Sequence, residues 1–218
     1  VIRSSVGSPS LGESRERRMW MFADEFPQLP RLSNFSTLLE LGRSKGVMLS
    51  HAGFAGNCAT MRTLGIMPDA DRRMLVVAPL FHLAAIAMAT VAMQAGGAAV
   101  IASAFDPVST LDLITREKVT DALLVPTMIQ MMLNTPGFDA AKLSNTRSIL
   151  YGASAIAEAT LDGIMSAAPH VDFFQAYGMT ETTGSICMLP PEDHDPNGNK
   201  RMRSAGKPLP GVELRIVD

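Results

Sequence analysis

The chain has 218 residues, 47% hydrophobic and 18% charged, with 19 Lys and Arg against 21 Asp and Glu for a net charge of −2. That length can bury a substantial core, and the composition excludes a disordered chain. Near-neutral charge, with no basic stripe and no aromatic-plus-arginine run, carries no nucleic-acid footprint.

Residues 1–35 stand apart. Ser, Arg, Glu and Pro dominate, no apolar period is sustained, and Trp20, Met21 and Phe22 are the only evident anchor. The first residues are polar and lack the apolar core of a secretory signal. Cys58 and Cys187 lie far apart with no metal-like spacing, which suits reduced, partly buried thiols, and the expected location is the cytoplasm.

From about residue 47 the pattern becomes regular. Ser50 can cap a helix reaching about Met61. Met74 to Ala78 reads as a buried strand ended by Pro79, Leu83 to Gln94 as a helix, Gly96-Gly97 as a turn and Ala98 to Ala102 as a strand. Leu83 to Ser103 also runs without a charge for about the length of a membrane span. Its alanine content and the glycine pair favour helix, turn and strand, so no integral membrane segment is expected. Asp106-Pro107 starts a helix that should turn Val108, Leu111 and Ile114 to the core and Arg116, Glu117 and Lys118 to water. Ala122 to Val125 is a strand, Thr127 to Leu133 a helix and Ser148 to Tyr151 a strand. A helix over about 157–167, a strand over Val171 to Phe174 and a last strand over Val212 to Val217 complete the series. The fold class is therefore α/β, with β-α-β units forming a mainly parallel sheet covered by helices on both faces. Ligands in such folds gather beyond the carboxyl ends of the strands.

Two post-strand loops carry the chemistry. Tyr151-Gly152-Ala153-Ser154 offers small residues against which a flat ring could lie, or a tight turn beginning a helix. It is no serine-hydrolase elbow, because Ile156 stands where the second glycine belongs. Gln175-Ala176-Tyr177-Gly178-Met179-Thr180-Glu181-Thr182-Thr183-Gly184 gathers an aromatic ring, two glycines, three threonine hydroxyls and a carboxylate. Hydroxyls and glycine amides suit phosphate oxygens and Glu181 could hold magnesium, although a hydrogen-bonded surface turn would use the same residues.

Tyr177-Gly178-Met179-Thr180-Glu181 resembles the signature of the AMP-forming adenylating superfamily, closest to its acyl-CoA synthetases. Lys45-Gly46-Val47-Met48-Leu49-Ser50-His51 resembles the end of that family's phosphate loop, and Pro79-Leu80-Phe81-His82 its acyl-pocket segment. Gly152-Ala153-Ser154 falls where the family lays adenine, and Gly206-Lys207-Pro208-Leu209-Pro210-Gly211 resembles its next landmark. The resemblance implies that Tyr177 and the backbone of Gly152 to Ser154 sandwich the adenine, with Gln175 and Gly178 beside it. Thr180 would contact the α-phosphate region, Glu181 would bind magnesium, Lys45 would lie near the phosphates and His82 at the mouth of the acyl pocket. The implied activity joins a small-molecule carboxylic acid to ATP, releasing pyrophosphate, and passes the acyl group to a thiol such as coenzyme A. The pair Phe81-His82 lacks the aspartate that peptide-synthetase domains place after the phenylalanine, so an acid without an α-ammonium is favoured.

The resemblance is partial. Where the family has a Thr/Ser/Gly phosphate loop, this chain has Ser36-Thr37-Leu38-Leu39-Glu40-Leu41-Gly42-Arg43-Ser44. Leucines bring no hydroxyl to phosphate, and Glu40 adds like charge. The family's ribose-binding Thr-Gly-Asp and its small C-terminal domain have no counterpart here. The expected organisation is an atypical segment over 1–35 and a partial AMP-binding domain over 36–218. A non-catalytic nucleotide- or partner-binding remnant of the fold is the alternative. The sequence carries no reading of oligomeric state.

Overall fold

The computed structural model describes residues 3–4, 47–194 and 200–215. Strand β1 (Arg3–Ser4) pairs antiparallel with β9 (Val212–Glu213). Among the described residues every other strand belongs to one seven-stranded sheet of order β3-β2-β4-β5-β6-β7-β8. Its parallel part consists of β2 (Arg73–Val76), β3 (Ala98–Ile101), β4 (Asp121–Leu124), β5 (Ser148–Gly152) and β6 (Asp172–Met179). Strands β7 (Gly184–Leu189) and β8 (Lys207–Pro208) extend it antiparallel.

Helices α1 (His51–Thr63), α2 (Leu83–Gln94), α3 (Pro107–Arg116), α4 (Pro126–Leu133) and α5 (Glu158–Ala167) fill the connections, close to the predicted spans. Both expected caps form. Ser50 Oγ accepts from Gly53 N at 3.0 Å, and Asp106 Oδ1 accepts from Ser109 N at 2.8 Å. The N–H of Ser109, then its hydroxyl, hold the Asp106 carboxyl below the ordinary carboxylate range. Among the described residues no helix is long and apolar enough to cross a membrane.

The sheet separates two apolar layers, and the period of two along its strands assigns each side chain to one of them. Met74, Val76, Leu123, Leu150 and Phe174 pack with α1 and α2 through Cys58, Met61 and the alanine face of α2. Leu75, Ala122, Leu124, Ile149, Tyr151 and Phe173 pack with α3, α4 and α5 through Leu111, Ile114, Ile129, Met132, Leu161 and Ile164. Both cysteines are free and buried. Burial pushes the Cys58 thiol up to about 11, so it stays protonated and serves as a small apolar residue.

The structure overturns the expected facing of Val108 and the expected length of the last strand. Val108 is 51% exposed, and Thr110 is buried in its place. At 100° per residue, Thr110, Leu111 and Ile114 share one arc, and Val108 lies roughly 110° from its centre. The last strand holds only Val212–Glu213, and residues 216–218 lie outside the described residues. The stretch 1–35 and the phosphate-loop segment through Gly46 also lie outside, apart from Arg3–Ser4.

The register of the parallel strands is fixed at their amino ends by one buried carboxylate. Asp121, fully buried on β4, pairs with Arg72 at 2.9 Å and accepts from Thr120 Oγ1 at 2.6 Å. Ser148 Oγ on β5 donates to the same carboxylate. Three consecutive strands are thus tied at one level. Deleting the carboxylate would strand the Arg72 guanidinium in the interior, a loss of about 3–5 kcal/mol by the scale for breaking buried pairs. Asp121→Ala is accordingly expected to lower the urea midpoint of unfolding by that equivalent, while Arg147→Ala, which breaks the exposed pair with Asp71, moves it by less than about 1 kcal/mol.

Candidate functional site

The connections reverse direction across β2: β2 runs on to β3 on one side, and β4 returns on the other. Open α/β sheets bind ligands beyond the carboxyl ends of the strands at such a reversal, and Pro79 to His82 follow the carboxyl end of β2. Phe81 is 73% exposed there. His82 is also exposed and caps α2, its Nδ1 accepting from Ala84 N at 3.4 Å. Three strand spacings away, roughly 14 Å at about 4.8 Å each, is the carboxyl end of β6.

The segment Gln175–Gly184 corrects the sequence reading. It is not a loop after a strand. Gln175 to Met179 continue β6, and Thr180 to Thr183 alone turn the chain into β7. Pairing with β7 supplies the hydrogen bonds that carry β6 this far beyond its apolar stretch. The ladder slips between Tyr177 and Gly178, with Tyr177 opposite Cys187 and Gly178 opposite Ser185, so Ile186 is an inserted residue. Its carbonyl is taken up by Leu209 N at 2.8 Å. Such a bulge bends a strand and re-aims the side chains beyond it.

The turn is anchored from within and from α1. Thr182 Oγ1 accepts from Met179 N at 3.1 Å and reaches the Gly184 carbonyl at 2.8 Å, so this hydroxyl is committed to the turn rather than free for phosphate. Asn57 of α1 donates through Nδ2 to the Ser185 carbonyl at 2.8 Å. Thr180 and Glu181 differ: neither side chain makes a hydrogen bond or ion pair among the described residues, and Glu181 is exposed.

Glycine at 152 and 178 has a cause different from the one expected. A Cβ on buried Gly152 would lie 2.2 Å from the Ala176 carbonyl, and one on Gly178 would lie 2.0 Å from the Gly184 carbonyl. Close approach of neighbouring strands excludes a side chain at both places. Exposed Ala153 and Ser154 then leave the sheet, Ala153 at a φ of 68°. Gly152 is the register partner of Ala176, so this exit lies beside Tyr177, which is 46% exposed. The fold therefore brings together Gly152, Ala153, Ser154, Gln175, Tyr177, Gly178, Thr180 and Glu181, and holds His82 apart along the same edge. Lys45 lies outside the described residues.

Among the described residues no group of three His, Cys, Asp or Glu could hold a metal alone. One exposed carboxylate beside a free hydroxyl fits magnesium that arrives on phosphates and keeps most of its own ligands. Arg203 pairs with Glu158 at 2.8 Å, and Lys207 with Asp193 at 3.0 Å.

Sequence reading missed Asn57 and the contact of Tyr151 with His194. The Tyr151 hydroxyl lies 2.9 Å from His194 Nε2, with the rings edge-on at 5.7 Å between centroids. Nothing in the spacing of residues 43 apart signals such a pair.

These features define an α/β protein whose strand exits and hairpin end lie along the carboxyl edge of one mainly parallel sheet. The chain belongs to the AMP-binding enzyme family, whose model matches residues 42–218. A second model, the type IV secretion-system coupling protein DNA-binding domain, matches residues 4–52, less than a quarter of the chain. Fatty acid–[acyl-carrier-protein] ligase ScoC of Streptomyces coeruleorubidus is 36% identical over 181 residues, 81% of this chain and 34% of the relative. Feruloyl-CoA synthase of Amycolatopsis is 34% identical over 204 residues, 89% and 39% respectively. O-succinylbenzoate coenzyme A synthetase of Bacillus subtilis, solved in complex with ATP and magnesium ion, superposes with a TM-score of 0.63 at 28% identity, covering 76% of this chain and 33% of that one. The chain spans about a third of the length of the curated relatives it matches.

The contact at Gly178 gives a direct test of the hairpin. Gly178→Ala must push β6 and β7 apart, with a cost of about 1–3 kcal/mol typical of overpacking. Faster amide exchange is expected from Tyr177 to Ser185, with unchanged protection in α3 and α4.

Proposed function

We propose that the protein to which this chain belongs is an AMP-forming carboxylic acid:thiol ligase. It joins a carboxylate to ATP, giving acyl-AMP and pyrophosphate, and a thiol such as coenzyme A then displaces AMP. The observation that carries this reading is the pairing of uncommitted Thr180 and Glu181 with exposed Tyr177, at the end of a hairpin whose neighbouring strand exits through Gly152 to Ser154.

In this reading adenine lies between the Tyr177 ring and the backbone of 152–154, with Gln175 and Gly178 alongside. Stacking there is apolar contact on two sides of a flat ring. Thr180 donates its hydroxyl to the α-phosphate region, and Glu181 provides one oxygen to magnesium, which offsets phosphate charge when bound. Two anions, carboxylate and phosphate, must meet in line, so fixed donors and cations there lower the barrier. Lys45 is the cation proposed to add to magnesium. Exposed Phe81 and His82, at the reversal beyond β2, form the proposed mouth of the acyl site. The relatives named for fatty, feruloyl and acyl-carrier-protein substrates support a carboxylic acid without fixing its chain or its thiol acceptor.

A second reading has its own support. The segment before Lys45 carries leucines and Glu40 where the resemblance to the adenylating family implies hydroxyls, and a different family model matches it. For this chain by itself, nucleotide binding without turnover follows from that loss. The two readings separate on pyrophosphate release with ATP, magnesium and a panel of fatty and aryl acids. Release marks a ligase, and ATP binding without release marks the binding module. In a protein with release, Glu181→Ala is expected to lower it on the order of 100-fold, the scale of losing one electrostatic group from a transition-state site. Circular dichroism should be unchanged, because Glu181 is exposed and makes no bond among the described residues. Undiminished release in that variant removes Glu181 from the mechanism.

A further inference from the structure

Behind the nucleotide face lies a polar chain set in an apolar layer. Tyr151 is fully buried among the side chains of the layer packed by α3, α4 and α5. Phenylalanine would fill that space equally well. The hydroxyl is instead aimed at His194 Nε2 at 2.9 Å, with Gln175 Oε1 at 3.4 Å. His194, also buried, donates through Nδ1 to the Pro190 carbonyl at 2.9 Å. That bond puts the ring proton on Nδ1 and leaves Nε2 to accept the phenolic proton.

The three residues come from different elements at one level of the sheet. Tyr151 is the last residue before Gly152 to Ser154. Gln175 is its register partner on β6 and lies two residues before Tyr177, on the same face. His194 follows β7, whose Leu189 pairs with Gln175. We propose that Tyr151 and His194 are positioning residues for the nucleotide slot: their hydrogen bond, with Gln175 against it, ties the exits of β5 and β7 to the middle of β6 one pleat below the slot and so sets the separation of its walls.

The proposal rests on the adenylation reading for what fills the slot. Dispersion contact is lost steeply with distance, and a gap of 0.5–1 Å forfeits about a quarter to a half of it. A directional bond holds such a spacing better than apolar packing alone.

The charge state of His194 follows from its surroundings. Burial lowers its pKa from 6.5, opposed by the bond to Pro190 and by Asp193 and Glu192 on its own turn. Lys207 of β8 is paired with Asp193, and β5 and β6 present only the Tyr151 hydroxyl and the neutral Gln175 amide. Burial also pushes the Tyr151 hydroxyl up, so it remains a donor. A protonated imidazole carries hydrogen on both nitrogens and cannot accept from Tyr151. Below about pH 6.5 the unfolded chain takes up a proton that the folded ring resists, so stability is full above that pH and falls below it. Slot geometry should loosen as His194 protonates.

The test compares the chain with Tyr151→Phe, Gln175→Ala and the double variant. The readouts are affinity for a fluorescent ATP analogue with magnesium between pH 5 and 8, and amide exchange along the chain. Tyr151→Phe keeps the ring and is expected to weaken binding by about tenfold, near the worth of one buried hydrogen bond. It should flatten the acid-side loss of affinity and be less than additive with Gln175→Ala, whereas a merely structural role predicts additivity and an unchanged pH profile. Exchange should quicken at 152–154 and 175–177 but not in α1. Equal affinity with the same pH profile in the wild-type chain and Tyr151→Phe would overturn the proposal. Should the wild-type chain bind no nucleotide, the adenylation reading of this chain fails, and exchange decides the positioning role alone. Quickening confined to those two segments upholds it, and unchanged exchange overturns it.

Discussion

Asp121 sits where β2, β4 and β5 begin, and its fully buried carboxylate gathers donors from Arg72, Thr120 and Ser148. A parallel sheet has no hairpin turns to set its pairing, so something else must choose among registers that differ by single residues. A slip would leave this carboxylate and its guanidinium unpartnered. The register Asp121 opposite Ser148, and Ser148 opposite Asp172, then propagates along the strands. Four residues on, it sets Gly152 opposite Ala176, which is the base of the site.

The edge that results divides labour between the hairpin and the loops. Thr182, Asn57 and the two glycines do structural work: they close the turn, hold it to α1 and let backbones approach to distances that exclude a side chain. Thr180, Glu181 and Tyr177 remain uncommitted. A motif that looks uniform as a string is therefore a mixture of scaffold and exposed chemistry. The same holds at His82, whose ring already serves as a helix cap.

The buried layer behind the site is not inert packing. Tyr151, Gln175 and His194 form a polar thread through side chains that otherwise sort by the period of two. Such threads are costly unless satisfied, and the His194 end of this one is satisfied by the Pro190 carbonyl.

Alternating short apolar runs and capped helices made the α/β class, the helices and the core strands legible from the sequence, because both signals are local: Ser50 and Asp106 act on amides within three residues. The signature at 177–181 was legible too, since its residue identities alone mark the family. The extension of β6 to Met179 was not, because a partner strand supplies the hydrogen bonds that continue it, and the sequence of β6 does not contain its partner. The exposure of Val108 depended on which arc of α3 the sheet covers. The reasons for Gly152 and Gly178 and the pairing of Tyr151 with His194 likewise arise between segments distant along the chain. Local bonding and side-chain chemistry were thus determined by sequence alone, while contacts that need two strands to meet were decided only by the tertiary structure.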